Sequence, residues 1–212
     1  MFLGGGVPII LPDLAQECGY SPAPVSDVER LRWNDRYTRE PARASAPSSL
    51  VMSLDRLLPR AGRALDLAGG AGRHAIWLAA RGLDVTVADV SEAGLALARD
   101  RAAAAGVRLS TIALDLDRDP PPPGPWDLIL VFHYLQRDLY RRLPSLLAPG
   151  GVLAIMHPTR SNLARHEHPS AEHLLEDGEL PRLISGLEVL LSEEGWSEEK
   201  RHEARLVGRR KA

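Results

Sequence analysis

Cysteine and lysine are almost absent from this chain of 212 residues, and no apolar run is long enough to cross a bilayer. The single cysteine, Cys18, excludes an internal disulfide and a multi-thiolate metal site. The formal net charge is only −2, which gives no general attraction to nucleic acid or to an anionic membrane. We therefore expect a cytoplasmic protein, monomeric or homodimeric, with neither nucleic acid nor a membrane as partner.

The chain length fits one sizeable domain around a single core. The first 25 residues are rich in glycine and proline and show neither helical nor strand periodicity. We expect residues 1–31 to form a flexible N-terminal arm that contains Cys18, and residues 32–212 to form the domain.

From residue 64 onward, short apolar runs alternate with longer amphipathic ones, which is typical of repeated βα units. This pattern predicts an α/β fold with a doubly wound, mostly parallel seven-stranded sheet that ends in a C-terminal antiparallel hairpin. The four prolines at 120–123 predict a surface connector without helix between the third and fourth strands. The predicted strands are 64–68, 84–88, 108–114, 127–132, 151–157, 187–192 and 203–209, and the predicted helices are 49–58, 72–81, 91–105, 138–147, 171–175 and 179–184.

A glycine-containing turn follows the first predicted strand and leads directly into a helix. Gly70 and Gly72 allow a sharp turn and a close ligand, and the helix start offers free N–H groups. Asp89 ends the second strand, where its carboxylate can accept hydrogen bonds from ribose hydroxyls. The same features also satisfy the fingerprint of NAD-binding domains, so the turn alone leaves two cofactor classes open.

Further motifs separate these two classes. The segments ALDLAGGAG, VTVADV, ALDL, WDLILVFHYL and LAPGGVLAI follow one another along the chain. In order and spacing they resemble the successive motifs of class I S-adenosylmethionine-dependent methyltransferases. The resemblance covers about residues 32–212 and implies a Rossmann-like methyltransferase fold with S-adenosylmethionine as cofactor and S-adenosylhomocysteine as product.

The resemblance also implies a set of cofactor-binding residues. Asp66, Gly70 and Gly72 match the first motif, whereas Ala68 stands where glycine is usual and Gly69 where cysteine is common. The remaining residues implied are Asp89 and Val90 for ribose and adenine, Asp115 and Leu116 for adenine, and Val131 and Phe132 for the wall beside the sulfonium. We expect the loops after strands one to three to form one cleft that binds adenosine through Asp89 and Asp115.

An upstream motif narrows the relation. Trp33-Asn-Asp-Arg-Tyr37 resembles the W-x-x-R-Y motif of small-molecule methyltransferases of the tellurite-resistance-like group, in which this arm closes over the cofactor. The resemblance implies that Trp33, Arg36 and Tyr37 contact the cofactor. An aromatic ring beside a sulfonium would add cation–π stabilisation, and Arg36 could pair with the methionine carboxylate.

The acceptor side is less defined. His133, Tyr134 and His157 lie at or just beyond strand ends and are candidate substrate-binding residues, while no catalytic residue can be assigned. The histidines at 157, 166, 168 and 173 lack the spacing of a helical ligand pair, so we expect no metal site. The sequence favours methyl transfer to a small-molecule acceptor, with two alternatives: an NAD(P)-dependent oxidoreductase and a non-catalytic S-adenosylmethionine-binding regulatory protein.

Overall fold

A seven-stranded sheet forms the centre of the protein in a computed structural model that describes residues 27–40 and 46–212. The strand order is β3-β2-β1-β4-β5-β7-β6; the first five strands are parallel, and β7 is antiparallel to both β5 and β6. The predicted fold class is confirmed. The strands are β1 (Arg63–Leu67), β2 (Asp84–Asp89), β3 (Ser110–Ala113), β4 (Trp126–Phe132), β5 (Leu147–Pro158), β6 (Leu187–Trp196) and β7 (His202–Arg210).

Six α-helices and three short 3₁₀ segments surround the sheet within the described ranges. The α-helices are α1 (Asp27–Arg39), α2 (Ser49–Ser53), α3 (Arg73–Ala79), α4 (Glu92–Ala104), α5 (Arg137–Leu146) and α6 (Leu180–Leu183). The 3₁₀ segments are Leu54–Arg56, Arg160–Ala164 and Ala171–His173. None of the helices in the described part of the chain has the length and apolarity that a bilayer crossing requires.

The core consists of two apolar layers, one on each face of the sheet. Because successive strand residues point to opposite faces, Leu128 and Leu130 of β4 pack with α2, α3 and α4, while Ile129 and Val131 pack with α5 and α6. Each fully buried side chain of this kind stabilises the fold by about 1.5 to 3 kcal/mol. This packing holds the carboxyl ends of the parallel strands at one common edge.

The ends of α4 follow the sequence prediction closely. Ser91 is the N-cap, and its hydroxyl accepts a hydrogen bond from the N–H of Gly94 at 3.0 Å. Gly106 lies just beyond the helix with a φ of 71°, a left-handed conformation that glycine adopts readily. The proline connector is also confirmed, because residues 114–125 contain no helix.

Three local predictions are wrong. The helix expected at 171–175 is only the 3₁₀ segment at 171–173, because Leu175 bonds through its N–H to the carbonyl of Pro158. The helix expected at 49–58 is α2 followed by a 3₁₀ turn. Strand β5 begins at Leu147, four residues earlier than expected, because Leu147 pairs with Trp126. In each case pairing or packing with distant residues overrides the local pattern.

Helix α1 spans the expected boundary between arm and domain at residues 31 and 32. Residues 1–26, with Cys18, lie outside the described residues. The helix packs along α4, and the side-chain amide oxygen of Asn34 accepts hydrogen bonds from the Ser91 hydroxyl at 2.8 Å and the Ala93 N–H at 3.0 Å. The N-terminus of α4 is therefore tied to α1.

Candidate active site

The turn between β1 and α3 is built from left-handed residues. Ala68, Gly70 and Gly72 have φ values of 52°, 55° and 71°. Glycine adopts this conformation freely, whereas alanine does so at a cost of about 1 to 2 kcal/mol. The backbone at Ala68 thus has the shape that favours glycine, which gives a physical reason for the glycine usual at this position in the family that the sequence resembles.

Asp89 joins the ends of β1 and β2. Its carboxylate accepts hydrogen bonds from the N–H groups of Gly70 and Ser91, both at 2.8 Å. Burial raises the pKa of Asp89 to about 6, and the two N–H donors counteract that rise. Each carboxylate oxygen has a second lone pair, so the group can still accept hydrogen bonds from a ligand. Val90, half-buried, follows it directly.

The third strand ends beside the second. The N–H of Leu114 bonds to the carbonyl of Asp89 at 2.9 Å, so Asp115 lies at the same edge of the sheet as Asp89. Asp115 and Leu116 are buried, and the Asp115 carboxylate accepts the N–H of Asp117 at 3.1 Å. The geometry therefore brings the loops after β1, β2 and β3 together, as the sequence predicts.

Asp66 lies within the core beneath the glycine turn. The carboxylate is 1% exposed, and an oxygen of it, Oδ2, has no hydrogen-bond partner. Burial, followed by repulsion from Asp89, raises the pKa of Asp66 to about 7. A Cβ at Gly69 would lie 2.8 Å from this carboxylate, so residue 69 must be glycine for the turn to lie so close to Asp66.

Tyr37 covers the glycine turn. A Cβ built on Gly70 would meet the Tyr37 hydroxyl, and one on Gly94 would lie 2.9 Å from the ring. Burial raises the pKa of Tyr37 to about 12, so the phenol is neutral at physiological pH. The crevice above Gly70 is thus partly filled by this side chain.

The other two residues of the upstream motif are less enclosed. The exposed Arg36 guanidinium lies 4.8 Å from the centre of the half-buried Trp33 ring. The ring centres of Trp33 and Tyr37 are 6.2 Å apart. The structure brings this motif next to the glycine turn, with Tyr37 as the residue in direct contact.

Arg73 is a candidate that the sequence reasoning missed. It is half-buried at the first position of α3, and its charge acts on Tyr37, Asp66, His74 and His133. It is therefore a cation among the residues around the turn. The signal in the sequence is its place directly after Gly72, at the carboxyl edge of the sheet.

The last two residues of β4 are both buried, but not on the same side of the sheet. Val131 and Phe132 are buried on opposite faces of the sheet, so these two neighbours do not line one surface. Phe132 packs edge-on against His74, with ring centres 5.0 Å apart. Burial lowers the pKa of His74 to about 3, and its Nε2 atom has no hydrogen-bond partner.

Two further histidines follow the ends of β4 and β5. His133 has a left-handed φ of 62°, and its N–H bonds to the Met156 carbonyl at 2.9 Å. His157 donates from Nε2 to the carbonyl of His173 at 2.9 Å, which leaves Nδ1 without a partner. Burial lowers the pKa of His133 to about 3 and that of His157 to about 4, so both imidazoles are neutral at physiological pH.

Tyr134 is engaged elsewhere. Its hydroxyl donates to the carboxylate of Asp117 at 2.7 Å, and burial raises its pKa.

The loop histidines at 166, 168 and 173 do not converge with His157 on a metal-binding geometry. Across the described ranges, Asp177, Glu194 and His202 are the three potential ligands whose donor atoms lie within 4.8 Å of one another, and none of them belongs to the histidine set considered from sequence.

The family comparison agrees with this geometry. A family model described as "Methyltransferase domain" matches residues 64–151, which extend from β1 into β5. No curated protein matches the chain. Residues 64–151 are thus similar to methyltransferase domains, and the resemblance to class I S-adenosylmethionine-dependent methyltransferases is confirmed.

Solved structures share the fold at low sequence identity. TehB from Haemophilus influenzae is 19% identical with a TM-score of 0.65, over 84% of this chain and 67% of that chain. An S-adenosylmethionine dependent methyltransferase from Mesorhizobium loti is 21% identical with a TM-score of 0.59, over 77% and 98%. The [4+2]-cyclase SpnF is 18% identical with a TM-score of 0.62, over 76% and 79%. The same fold thus carries more than one chemistry.

Proposed function

We propose that this protein transfers the methyl group of S-adenosylmethionine to a small-molecule acceptor, as a monomer or homodimer in the cytoplasm. The observation that carries the proposal is the buried carboxylate of Asp89, which bonds to the glycine turn at Gly70 and lies beside Asp115 at the carboxyl edge of the sheet. Ligands of this fold type bind at that edge, outside the ends of the parallel strands.

The site residues fit the cofactor by their chemistry. Asp89 has free lone pairs for ribose hydroxyls, and Asp115 with Leu116 offers a carboxylate and an apolar surface for adenine. Arg73, which is half-buried and directly follows Gly72, is a second candidate besides the exposed Arg36 to pair with the methionine carboxylate of the cofactor. When bound, S-adenosylmethionine supplies a methyl group activated by its sulfonium charge.

The protein's own contribution is alignment and exclusion of water. Phe132 and His74 form a buried wall beyond the turn, and Tyr37 closes over Gly70 from α1. Holding donor and acceptor in line can lower the barrier by about 7 to 11 kcal/mol without a nucleophilic side chain. The imidazoles of His133 and His157 are neutral. They can therefore form hydrogen bonds with a bound methyl acceptor without repelling a cation.

An NAD(P)-dependent oxidoreductase is the main alternative, since the glycine turn and an acidic residue after β2 occur there too. The antiparallel β7 between β5 and β6 favours the methyltransferase. A ligand that binds only the folded state raises the melting temperature. We expect S-adenosylhomocysteine at 100 times its Kd to stabilise the protein by about 2.7 kcal/mol, with no shift from NADH, in a thermal-shift assay.

A substitution at Asp89 provides the control. Asp89→Ala leaves two buried N–H groups without an acceptor, so it lowers the melting temperature of the free protein as well. The shift caused by S-adenosylhomocysteine must therefore be measured from the variant's own baseline, and we expect most of it to disappear. A shift with NADH alone would overturn the proposal, and S-adenosylhomocysteine binding without any methylated acceptor would favour the regulatory alternative.

A further inference from the structure

A cavity of about 210 Å³ lies on the α2 side of the sheet, beyond the residues assigned to the cofactor. Its wall includes Ser48 and Ser53 of α2 and its cap, Met156 of β5, and Glu203 and Arg205 of β7. Glu198 and Glu199, in the turn between β6 and β7, complete its acidic side. Apart from Met156, whose carbonyl accepts the N–H of His133, these residues have no role in the site described above.

The cavity adjoins the end of β4. Met156 is the register partner of Phe132, and the Met156 carbonyl accepts the N–H of His133. Neighbouring strands are about 4.8 Å apart, so the cavity begins one strand away from the Phe132 wall. A molecule that fills it would lie one strand away from Phe132, which the resemblance assigns to the wall beside the sulfonium.

Glu203 and Arg205 each have a buried polar atom without a hydrogen-bond partner in this cavity wall, and Glu203 is the acceptor of the two. The residue is 3% exposed, and its Oε1 atom has no hydrogen-bond partner. Its other oxygen, Oε2, lies 3.6 Å from the Arg205 guanidinium. A buried carboxylate oxygen without a donor costs free energy, and a donor from a ligand would remove that cost.

The charges around the cavity favour a cation. Three carboxylates line it, from Glu198, Glu199 and Glu203, against the guanidinium of Arg205. That guanidinium is shared, because it also lies 4.0 Å from Glu193. Calcium and magnesium ions take six or more ligands, mostly oxygens, whereas one ammonium group needs a single charged acceptor in a cavity that also has an apolar surface at Met156.

We propose that this cavity binds the acceptor and that Glu203 receives an ammonium group of it, so that the acceptor is a small molecule that carries an aliphatic ammonium group. The methyl group goes to another atom of the acceptor that has a free lone pair, because an ammonium nitrogen has none. This inference rests on the proposed methyl transfer and specifies its substrate class. It makes Glu203 a specificity-determining residue, and it requires no proton transfer or covalent step at Glu203 itself.

The test compares three probes of similar size that differ in charge: n-butylamine, 1-butanol and butyrate. Each is titrated by ligand-observed NMR into the protein saturated with S-adenosylhomocysteine. We expect n-butylamine to bind about tenfold or more tightly than the other two, because a charge-assisted hydrogen bond replaces a neutral one. Equal binding of the three, tighter binding of butyrate, or no binding of the amine would overturn the inference.

Two variants locate the effect. Glu203→Gln keeps the shape of the side chain and removes its charge, so the preference for the amine should vanish while S-adenosylhomocysteine binding stays unchanged. Glu188→Gln removes the same charge from an exposed position on β6, outside the cavity wall, and should keep the preference. A preference that survives Glu203→Gln would show that Glu203 is not the acceptor ligand. Failure of S-adenosylhomocysteine to bind the wild type would instead refute the proposed function.

Discussion

Asp66 combines deep burial with a raised pKa, which makes its charge costly in the folded state. The folded pKa of about 7 exceeds the ordinary value of 3.8, so folding takes up a proton between these two values. The stability linked to this proton is fully present below pH 3.8 and is lost as the pH rises through 7. At neutral and basic pH the residue therefore destabilises the fold.

We predict that Asp66→Asn stabilises the protein relative to wild type more at pH 8 than at pH 5. The amide carries no charge at either pH, so the difference should grow by about 2 to 3 kcal/mol over this interval, at about 1.4 kcal/mol per pKa unit. Urea unfolding at both pH values measures it. Asp84→Asn, an exposed change at the start of β2, should show no such trend, and a constant Asp66→Asn effect would contradict the argument.

Individual site residues differ in how far sequence could identify them. Gly70 and Asp89 are 19 positions apart, but they lie at the carboxyl ends of adjacent parallel strands, so their contact could be predicted from strand order alone. Tyr37 could be placed near the cofactor by resemblance, yet its contact with Gly70 depends on how α1 packs. Glu203 gave no signal, since its burial results from pairing of β7 with β5.

Among the elements, α1 depends on tertiary contacts for its position. Its sequence is polar and its few apolar residues are spread out, so an isolated helix of 13 residues would be marginal. Asn34 supplies the connection to the start of α4. We predict that Asn34→Ala speeds amide hydrogen exchange in α1, with the amides of β1 and β4 unchanged, because loss of such a capping oxygen costs about 0.5 to 2 kcal/mol.

Thr38→Ala is the matched control for this exchange experiment. The Thr38 hydroxyl bonds within α1, to the carbonyl of Asn34 at 2.8 Å. The Thr38→Ala substitution should therefore leave the contact between α1 and α4 intact. Equal acceleration by both substitutions would mean that the Asn34 side chain does not hold α1 in place.

The elements that sequence predicted well are those with a strong local signal. Helix α4 has a serine N-cap and a glycine after its end, and β1, β2 and β4 are short apolar runs that the core buries on both faces. The segment at 171–175 failed because Leu174 and Leu175 are buried in an extended conformation. A five-residue pattern cannot distinguish these outcomes without knowledge of what it packs against.

Across the whole molecule, acid changes the stability contributed by buried histidines and by buried carboxylates in opposite directions. The pKa values of His74, His133 and His157 are lowered to about 3 or 4, so their stabilising contribution is full above pH 6.5 and is lost as the pH falls. Asp66 and Asp89 have raised pKa values and act in the opposite direction. Burial also raises the pKa of Glu203, but the three histidines, whose ordinary pKa of 6.5 lies between pH 5 and pH 7, contribute the larger change.

We therefore predict that the free energy of unfolding falls by about 1 to 2 kcal/mol from pH 7 to pH 5. Equilibrium unfolding in urea at the two pH values measures this change. In the Asp66→Asn background the fall should be steeper, because one opposing carboxylate is gone. A protein that becomes more stable between pH 7 and pH 5 would contradict these assignments.

The position of β7 between β5 and β6 has a consequence for the order of assembly. Strand β6 comes earlier in the chain, yet it pairs only with β7 in the described sheet, so it cannot attach until β7 has been made. The two strands can pair with each other within microseconds and then join the older parallel part as one ribbon. The cavity around Glu203 is consequently complete only once β7 has joined the parallel strands.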